Sequence, residues 1–372
     1  MKTRLPVTLA LFATLAVLLF GGASSSGARP VRLPVGFFGI APQTVLGPQD
    51  IGYMQAGGIE TIRVPFSWGA IQPTPTGGYD WSGVDQTIEL AARGGLRVLP
   101  FLAGTPRWLG KTTTLPIDSA RQRSAWTAFV SAAVKRYGPG GEFWSEHSHE
   151  GVNYEPALPR PLPVREWQIW NEVNFFYFAY PVSAQRYGKL LTLTSKTIKR
   201  IKPGAKIVLS GLFGEPTASG KRGVPADVFL QQLYRYPGIK SRFDAIALHP
   251  YAVDTEALEE MVESVHNVVI ANHDRPGLYI TEMGWGSQND FQKVAFEQGI
   301  RGQVRELKGA YSYLIANQRR LNLKQVHWFS WKDAAPYCNF CDSVGLFREG
   351  AKFKPKPAWH AFLGFTGGRA RP

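Results

Sequence analysis

The stretch EWQIWNEVNFFYF, Glu166 to Phe178, carries strand-forming aromatic and branched residues straight into Asn171 and Glu172 before more aromatics follow. Such a run reads as a strand buried in a sheet. A glutamate at its end resists burial. Either it terminates the strand and caps the helix beyond it, or it stands there for its chemistry, and the local sequence leaves both open. The rest of the chain bears on the choice. Seven further runs read as strands: VGFFGI (35–40), ETIRVPF (60–66), LRVLPFL (96–102), KIVLSGL (206–212), FDAIALHPY (243–251), LYITEMGW (278–285) and QVHWFSW (325–331). Between them lie helical patterns. In SAWTAFVSAAVKRYG, Trp126, Phe129, Val130, Ala133, Val134 and Tyr137 recur at helix spacing before Gly138, and Leu258, Met261, Val262, Val265 and Val269 do the same further on. Eight strand–helix alternations predict an α/β protein, a single (β/α)8 TIM barrel, with a doubly wound open sheet as the alternative.

The chain has 372 residues, 44% of them hydrophobic and 13% aromatic, enough to bury a large core. Met1-Lys2-Thr3-Arg4, the apolar run Leu5–Phe20 and the small residues to Ala28 have the order of a secretory signal. The run is shorter than the roughly 20 residues of a membrane span and contains Pro6. Residues 1–28 are therefore set apart as a signal peptide and 29–372 as the (β/α)8 domain, with a secreted or cell-surface location. The formal charge of +14 falls to +12 once Lys2 and Arg4 leave. That charge favours anionic wall polymers as partners. Nucleic acid is not expected, because no basic helix, zinc-finger spacing or RNA-binding aromatic signature is present. Cys338 and Cys341 are the only cysteines. In an exported chain this C-x-x-C reads as a short disulfide rather than as redox or metal chemistry.

In a barrel, residues at the C-terminal ends of the strands gather around one mouth. Here that set is polar and aromatic: Arg63 on strand two, Asn171 and Glu172 ending strand four, His249 and Tyr251 ending strand six, Glu282 ending strand seven and Trp331 ending strand eight. His249 and Tyr251 share a strand face with Ala245 and Ala247, while Ile246 and Leu248 point to the covering helices. Two glutamates at one mouth suit glycosidic bond cleavage, in which one acid protonates the leaving oxygen and one carboxylate attacks the anomeric carbon. Arg63 and Tyr251 would keep one glutamate ionised, and apolar neighbours such as Trp170 and Phe175 would keep the other protonated.

These motifs resemble those of clan A glycoside hydrolases. WQIWNEVN is similar to their acid/base motif, YITEMGWGS to the nucleophile motif on strand seven, and LHPY to the His-x-Tyr pair on strand six. IRVPFSWGAIQP, YDWSGVD, TPRW, RYGPGGEFW and KPKPAWHAF extend the likeness over nearly all of the mature chain, to family 39 first and family 5 next. The resemblance implies a retaining O-glycoside hydrolase that needs no cofactor and acts as a monomer. It implies Glu172 as acid/base, Glu282 as nucleophile and Asn171 as ligand of the sugar 2-hydroxyl. It further implies that His249 and Tyr251 support the nucleophile, that Arg63 orients it, and that Trp331 forms the platform under the sugar. The family usually has proline after the acid, where this chain has Val173; Asn174 is retained, so the expectation is a changed turn rather than a lost acid.

Other features weigh less. GEPTASGKR has the wrong spacing for a phosphate loop and reads as surface. EHSHE offers His147 and His149 as metal ligands, but loop histidines usually bind nothing specific. Trp144, Tyr177, Phe178, Tyr180 and Tyr337 are the aromatics expected to line further sugar subsites. Sugar identity and endo or exo action are not written in these residues, because loops set specificity. The rival from another class is a sugar-binding barrel without catalysis.

Overall fold

Eight parallel strands close on themselves in chain order: β1 (Phe38–Ala41), β2 (Thr61–Ser67), β3 (Arg97–Ala103), β4 (Glu166–Ile169), β5 (Lys206–Phe213), β6 (Ala245–His249), β7 (Gly277–Met283) and β8 (Leu323–Phe329). The closing pair is β1 with β8, where Phe38 to Ala41 partner Val326 to Phe329. This is the expected (β/α)8 barrel, and the open sheet is excluded. The computed structural model describes residues 32–147, 157–158, 160–290, 292–334 and 338–372. The barrel is one unit, Leu33–Pro372. The signal-peptide expectation for residues 1–28 lies outside the described residues. Among those described, no helix is long and apolar enough to cross a membrane.

The helices are α1 (Pro48–Ala56), α2 (Trp68–Ile71), α3 (Ser82–Arg93), α4 (Ala120–Tyr137), α5 (Glu142–Glu146), α6 (Ala184–Ile201), α7 (Ala226–Tyr234), α8 (Thr255–Ala271), α9 (Gly299–Ala316) and α10 (Pro357–Thr366). Their starts follow local chemistry. Ser119 and Gln122 form a capping box at the head of α4, and Asp254 accepts from the Ala257 amide at the head of α8, so backbone donors without helical partners are satisfied. The helix periodicity then delivers Trp126, Phe129, Val130, Ala133 and Val134 to the layer between helices and sheet. Inside the barrel lies a separate small cluster of Leu99, Val208, Ala245, Ala247 and Tyr279. Ile246 and Leu248 join the outer layer, so the alternation expected for β6 holds. Cys338 and Cys341 form a disulfide, with Cα atoms 5.1 Å apart.

Candidate active site

At the end of β4 the backbone itself answers why Asn171 and Glu172 follow one another into the mouth. The strand ends at Ile169, and Trp170 and Glu172 then take positive φ values of 74° and 36°. Those left-handed residues break the strict in–out alternation, so neighbouring side chains need not face opposite ways. The Trp170 indole goes outward to Trp126 and donates to the Phe178 carbonyl, while Asn171 bridges to Gly211 and the Glu172 amide donates to the Gly211 carbonyl. The turn closes through the Phe175 amide on the Glu172 carbonyl. Val173 fits this turn for a definite reason. Its amide donates to Ser210 Oγ at 3.0 Å, a bond that proline could not make. Asn174 ties the turn to the end of β5 and the loop beyond, donating to the Phe213 and Val224 carbonyls and accepting from the Phe213 amide.

On β7 the register with β8 shifts between Ile280 and Met283, and this irregularity lets consecutive Thr281 and Glu282 both reach the site. Arg63, buried on β2, occupies its centre. Its Nη1 donates to Glu282 Oε1 at 2.5 Å, its Nη2 to Asn171 Oδ1 at 2.6 Å and its Nε to Gln168 Oε1 at 2.6 Å. The guanidinium also lies 4.2 Å from the Phe101 ring centre, a cation–π contact. Tyr251 donates to the other Glu282 oxygen, Oε2, at 2.7 Å. Both oxygens of Glu282 thus face donors, the partner set of a carboxylate.

Glu172 is placed differently. Among the described residues it has no guanidinium partner, and its Oε1 lies 2.8 Å from His249 Nδ1. Burial first, and the charge of Glu282 second, hold its carboxyl well above the ordinary glutamate range. Burial, with the positive charge of Arg63 adding to it, holds His249 well below the usual histidine range, so its ring is neutral. The raised acid expected from the sequence is present with burial as its first cause; the charge of Glu282 adds to it, and Trp170 turns away from the site. Phe175 stacks on Phe213, which packs on Tyr251, so these rings form one side of the mouth.

Two expectations are corrected. His249 reaches Glu172 rather than Glu282; its Nδ1 is 3.7 Å from Glu282 Oε2, against 2.8 Å to Glu172 Oε1. Trp331 is no platform. It is fully buried, its Nε1 donates to Asp50 Oδ1 at 2.7 Å, and its ring packs on Phe347 and Trp359. β8 stops at Phe329, two residues before the end read from the sequence, and the chain then turns Trp331 outward. Phe329 is the β8 aromatic that meets Tyr251, ring centres 5.9 Å apart. Among the other aromatics, Tyr177, Phe178 and Tyr180 are exposed just past Glu172, whereas Trp144 is buried and donates to the Tyr137 carbonyl. Tyr337 and His149 lie outside the described residues. His147 stacks on Phe143 and engages its carbonyl.

Gln168 and Thr281, which sequence reasoning missed, complete the buried network. Gln168 Nε2 donates to the Leu209 carbonyl at 3.1 Å and to Thr281 Oγ1 at 3.3 Å, and Thr281 Oγ1 lies 2.9 Å from His249 Nε2. Polar residues at interior positions of a barrel strand were the available signal. Among the described residues, Glu172, His249 and Glu282 form the one group whose ligand-type atoms lie together, all within 4.8 Å of one another. Arg63 already places a positive charge on Glu282, so the trio suits proton transfer better than cation binding.

Comparison with known proteins agrees with this fold. The glycosyl hydrolase family 42 model, beta-galactosidase, matches residues 43–135. No curated protein matches the sequence. A solved family 39 glycoside hydrolase from the gut symbiont Bacteroides cellulosilyticus is similar in fold, with TM-score 0.62 at 18% identity; the match covers 90% of this chain and 64% of that one. A monomeric beta-xylosidase from Caulobacter crescentus gives 0.63 at 16% identity, covering 92% and 70%. The family 39 enzyme from Xanthomonas axonopodis pv. citri gives 0.62 at 16%, covering 92% and 68%. The barrel and the partial family match are consistent with a clan A glycoside hydrolase, close in fold to family 39.

Proposed function

We propose that the chain is a retaining β-glycosidase or β-glycanase working by double displacement, with Glu282 as nucleophile and Glu172 as acid/base. The observation that carries this reading is the unlike pair of carboxyls at one mouth. Their ligand-type oxygens approach within 4.8 Å. Retaining enzymes space the two groups at about 5 to 5.5 Å, and inverting ones leave roughly 6.5 to 9.5 Å for a water. In the first step Glu282 attacks the anomeric carbon as the glycosidic bond breaks, and the Glu172 proton passes to the departing oxygen. In the second, Glu172 takes a proton from water, the water oxygen bonds to the anomeric carbon and Glu282 is released.

The charge coupling supports both steps. While Glu282 is ionised, its charge helps keep Glu172 protonated. Once Glu282 is an ester that charge is gone, and Glu172 ionises more readily, as a base must. Asn171 Oδ1 is held by Arg63, and among the described residues no protein acceptor takes its amide nitrogen, which is thereby free for a sugar hydroxyl. The leader-like N-terminus and the +14 charge support action outside the cell on carbohydrate, anionic wall polymers included. The fold likeness to a monomeric beta-xylosidase favours a monomer and makes xylosides, with galactosides, the first substrates to try.

The test is hydrolysis of aryl β-glycosides and soluble polysaccharides by the native protein beside Glu282→Gln. Turnover on one substrate class, abolished in the variant while sugar binding persists, is expected. Sugar binding with no turnover by the native protein would instead identify a binding barrel.

A further inference from the structure

We infer that Gln168 and Thr281 are positioning residues that fix the ring tautomer of His249, and through it place the acidic proton of Glu172 on Oε2, the oxygen facing the mouth. The inference rests on the acid/base reading of Glu172 and deepens it. Donors and acceptors along the buried chain can be paired in only one consistent way. Arginine can only donate, so Gln168 Oε1, 2.6 Å from Arg63 Nε, is the amide oxygen. The Leu209 carbonyl can only accept, so the atom 3.1 Å from it is the amide nitrogen. Two independent neighbours therefore set the same orientation of Gln168.

Gln168 then donates to Thr281 Oγ1. The threonine hydroxyl has one proton of its own, and among the described residues the remaining partner within reach is His249 Nε2 at 2.9 Å. If Nε2 carried a proton, Thr281 would receive two donors and its own proton would have no acceptor. Donation from Thr281 to Nε2 satisfies every group. A neutral imidazole has one N–H, so it sits on Nδ1 and points to Glu172 Oε1 at 2.8 Å. With Oε1 accepting, a protonated Glu172 carries its hydrogen on Oε2. That oxygen has no protein partner among the described residues, and the side chain keeps 8% of its surface open. Gly211 makes room for this arrangement, since a Cβ there would meet His249 Nε2 at 2.0 Å. The relay begins at the arginine that also grips Glu282, so one side chain organises the nucleophile directly and the acid through three intermediaries.

Nitrogen-15 NMR of histidine-labelled protein reads the tautomer whether or not the protein turns over. The His249 resonances are assigned by loss in His249→Asn. A protonated Nδ1 and an unprotonated Nε2 are expected, and the reverse pattern in the native protein overturns the relay. Gln168→Glu replaces the donor to Thr281 by an acceptor. The hydroxyl then turns to residue 168, Nε2–H donates to Thr281, and the tautomer inverts. The acid's proton is drawn to Oε1, and kcat falls roughly 10²-fold, in the range of a general acid's contribution, with KM little changed. Should the buried charge prevent folding, Thr281→Val removes the donor and Thr281→Ser restores it, so mixed tautomers in the first and the native one in the second are expected. An unchanged tautomer in Gln168→Glu, or in Thr281→Val, contradicts the proposal. A native Nδ1–H tautomer in a protein that hydrolyses nothing would leave the relay standing and remove the glycosidase reading instead.

Discussion

Glu172 and Glu282 are chemically identical residues with unlike partners, and on the proposed reading one serves as the acid and the other as the nucleophile. Removing the acid should cost least where the leaving group needs no proton. For Glu172→Gln we expect turnover of ordinary glycosides to fall on the order of 10²- to 10⁴-fold, while cleavage of aryl glycosides with strongly acidic phenols falls far less in its first step. Steady-state and burst kinetics across a series of phenols measure this, and equal losses across the series would argue against the assignment. The pH profile follows from the same residue. Its folded pKa is raised, so the required protonated form persists above the ordinary glutamate range and is lost as pH climbs through the raised value. At this scale much of the site was legible. Asn171, Glu172, His249, Tyr251 and Glu282 stand at or just past strand ends, Arg63 lies within β2, and the topology gathers them at one mouth. What was not legible was which neighbour each would choose. His249 and Tyr251 lie two apart on one face, yet they serve different glutamates.

Among the elements, the lengths of the strands decided what could be read. All eight strands were visible as apolar runs, because a parallel sheet covered by helices is buried on both faces. Strand ends were the weak point. Reading β8 through Trp331 rather than Phe329 turned an outward core residue into a supposed platform, a slip that periodicity cannot detect when aromatics stand at both positions. Likewise nothing in WQIWNE announced the left-handed backbone at Trp170 and Glu172. The approach of β5 to β6 is a sharper constraint than either sequence run suggested. Gly211→Ala should displace the His249 ring, lowering kcat at least tenfold while the circular dichroism spectrum stays that of the folded barrel. Retained full activity would show that the ring has more room than this packing allows. A contrasting change is Ser119→Ala at the head of α4, remote from the mouth, which should lower stability by about 1 kcal/mol and leave kcat unaltered.

For the whole molecule, the barrel keeps ionisable groups neutral in its interior, and stability must depend on pH accordingly. His249 and His327 are buried and both have depressed folded pKa values, His327 down to about 3, chiefly through burial with Arg63 adding to it. Their contribution is complete above the unfolded histidine value of 6.5 and is lost as pH falls below it, because the unfolded chain gains protons that the fold refuses. Each withheld proton weakens the fold by up to about 1.4 kcal/mol per pH unit, which comes to about 1.6 kcal/mol per ring between pH 6.5 and 5. Denaturant titrations of the native protein and of His327→Asn at those two values should differ, the variant losing less stability on acidification by about the contribution of one ring. Glu172, whose carboxyl is raised in the fold, acts in the opposite sense over this range, so the readout is the native protein against His327→Asn; the same change with pH in both would mean that the His327 ring is not held neutral.

The most direct test of the central claim is mass spectrometry after incubation with an activated 2-deoxy-2-fluoro-β-glycoside of whichever sugar the native protein cleaves. The fluorine slows both steps, and the activated leaving group restores the first, so the glycosyl-enzyme accumulates. The account predicts one sugar added, located on the peptide that contains Glu282 and absent from Glu282→Gln. An adduct on another carboxylate, or inversion at the anomeric carbon with no adduct, would contradict it.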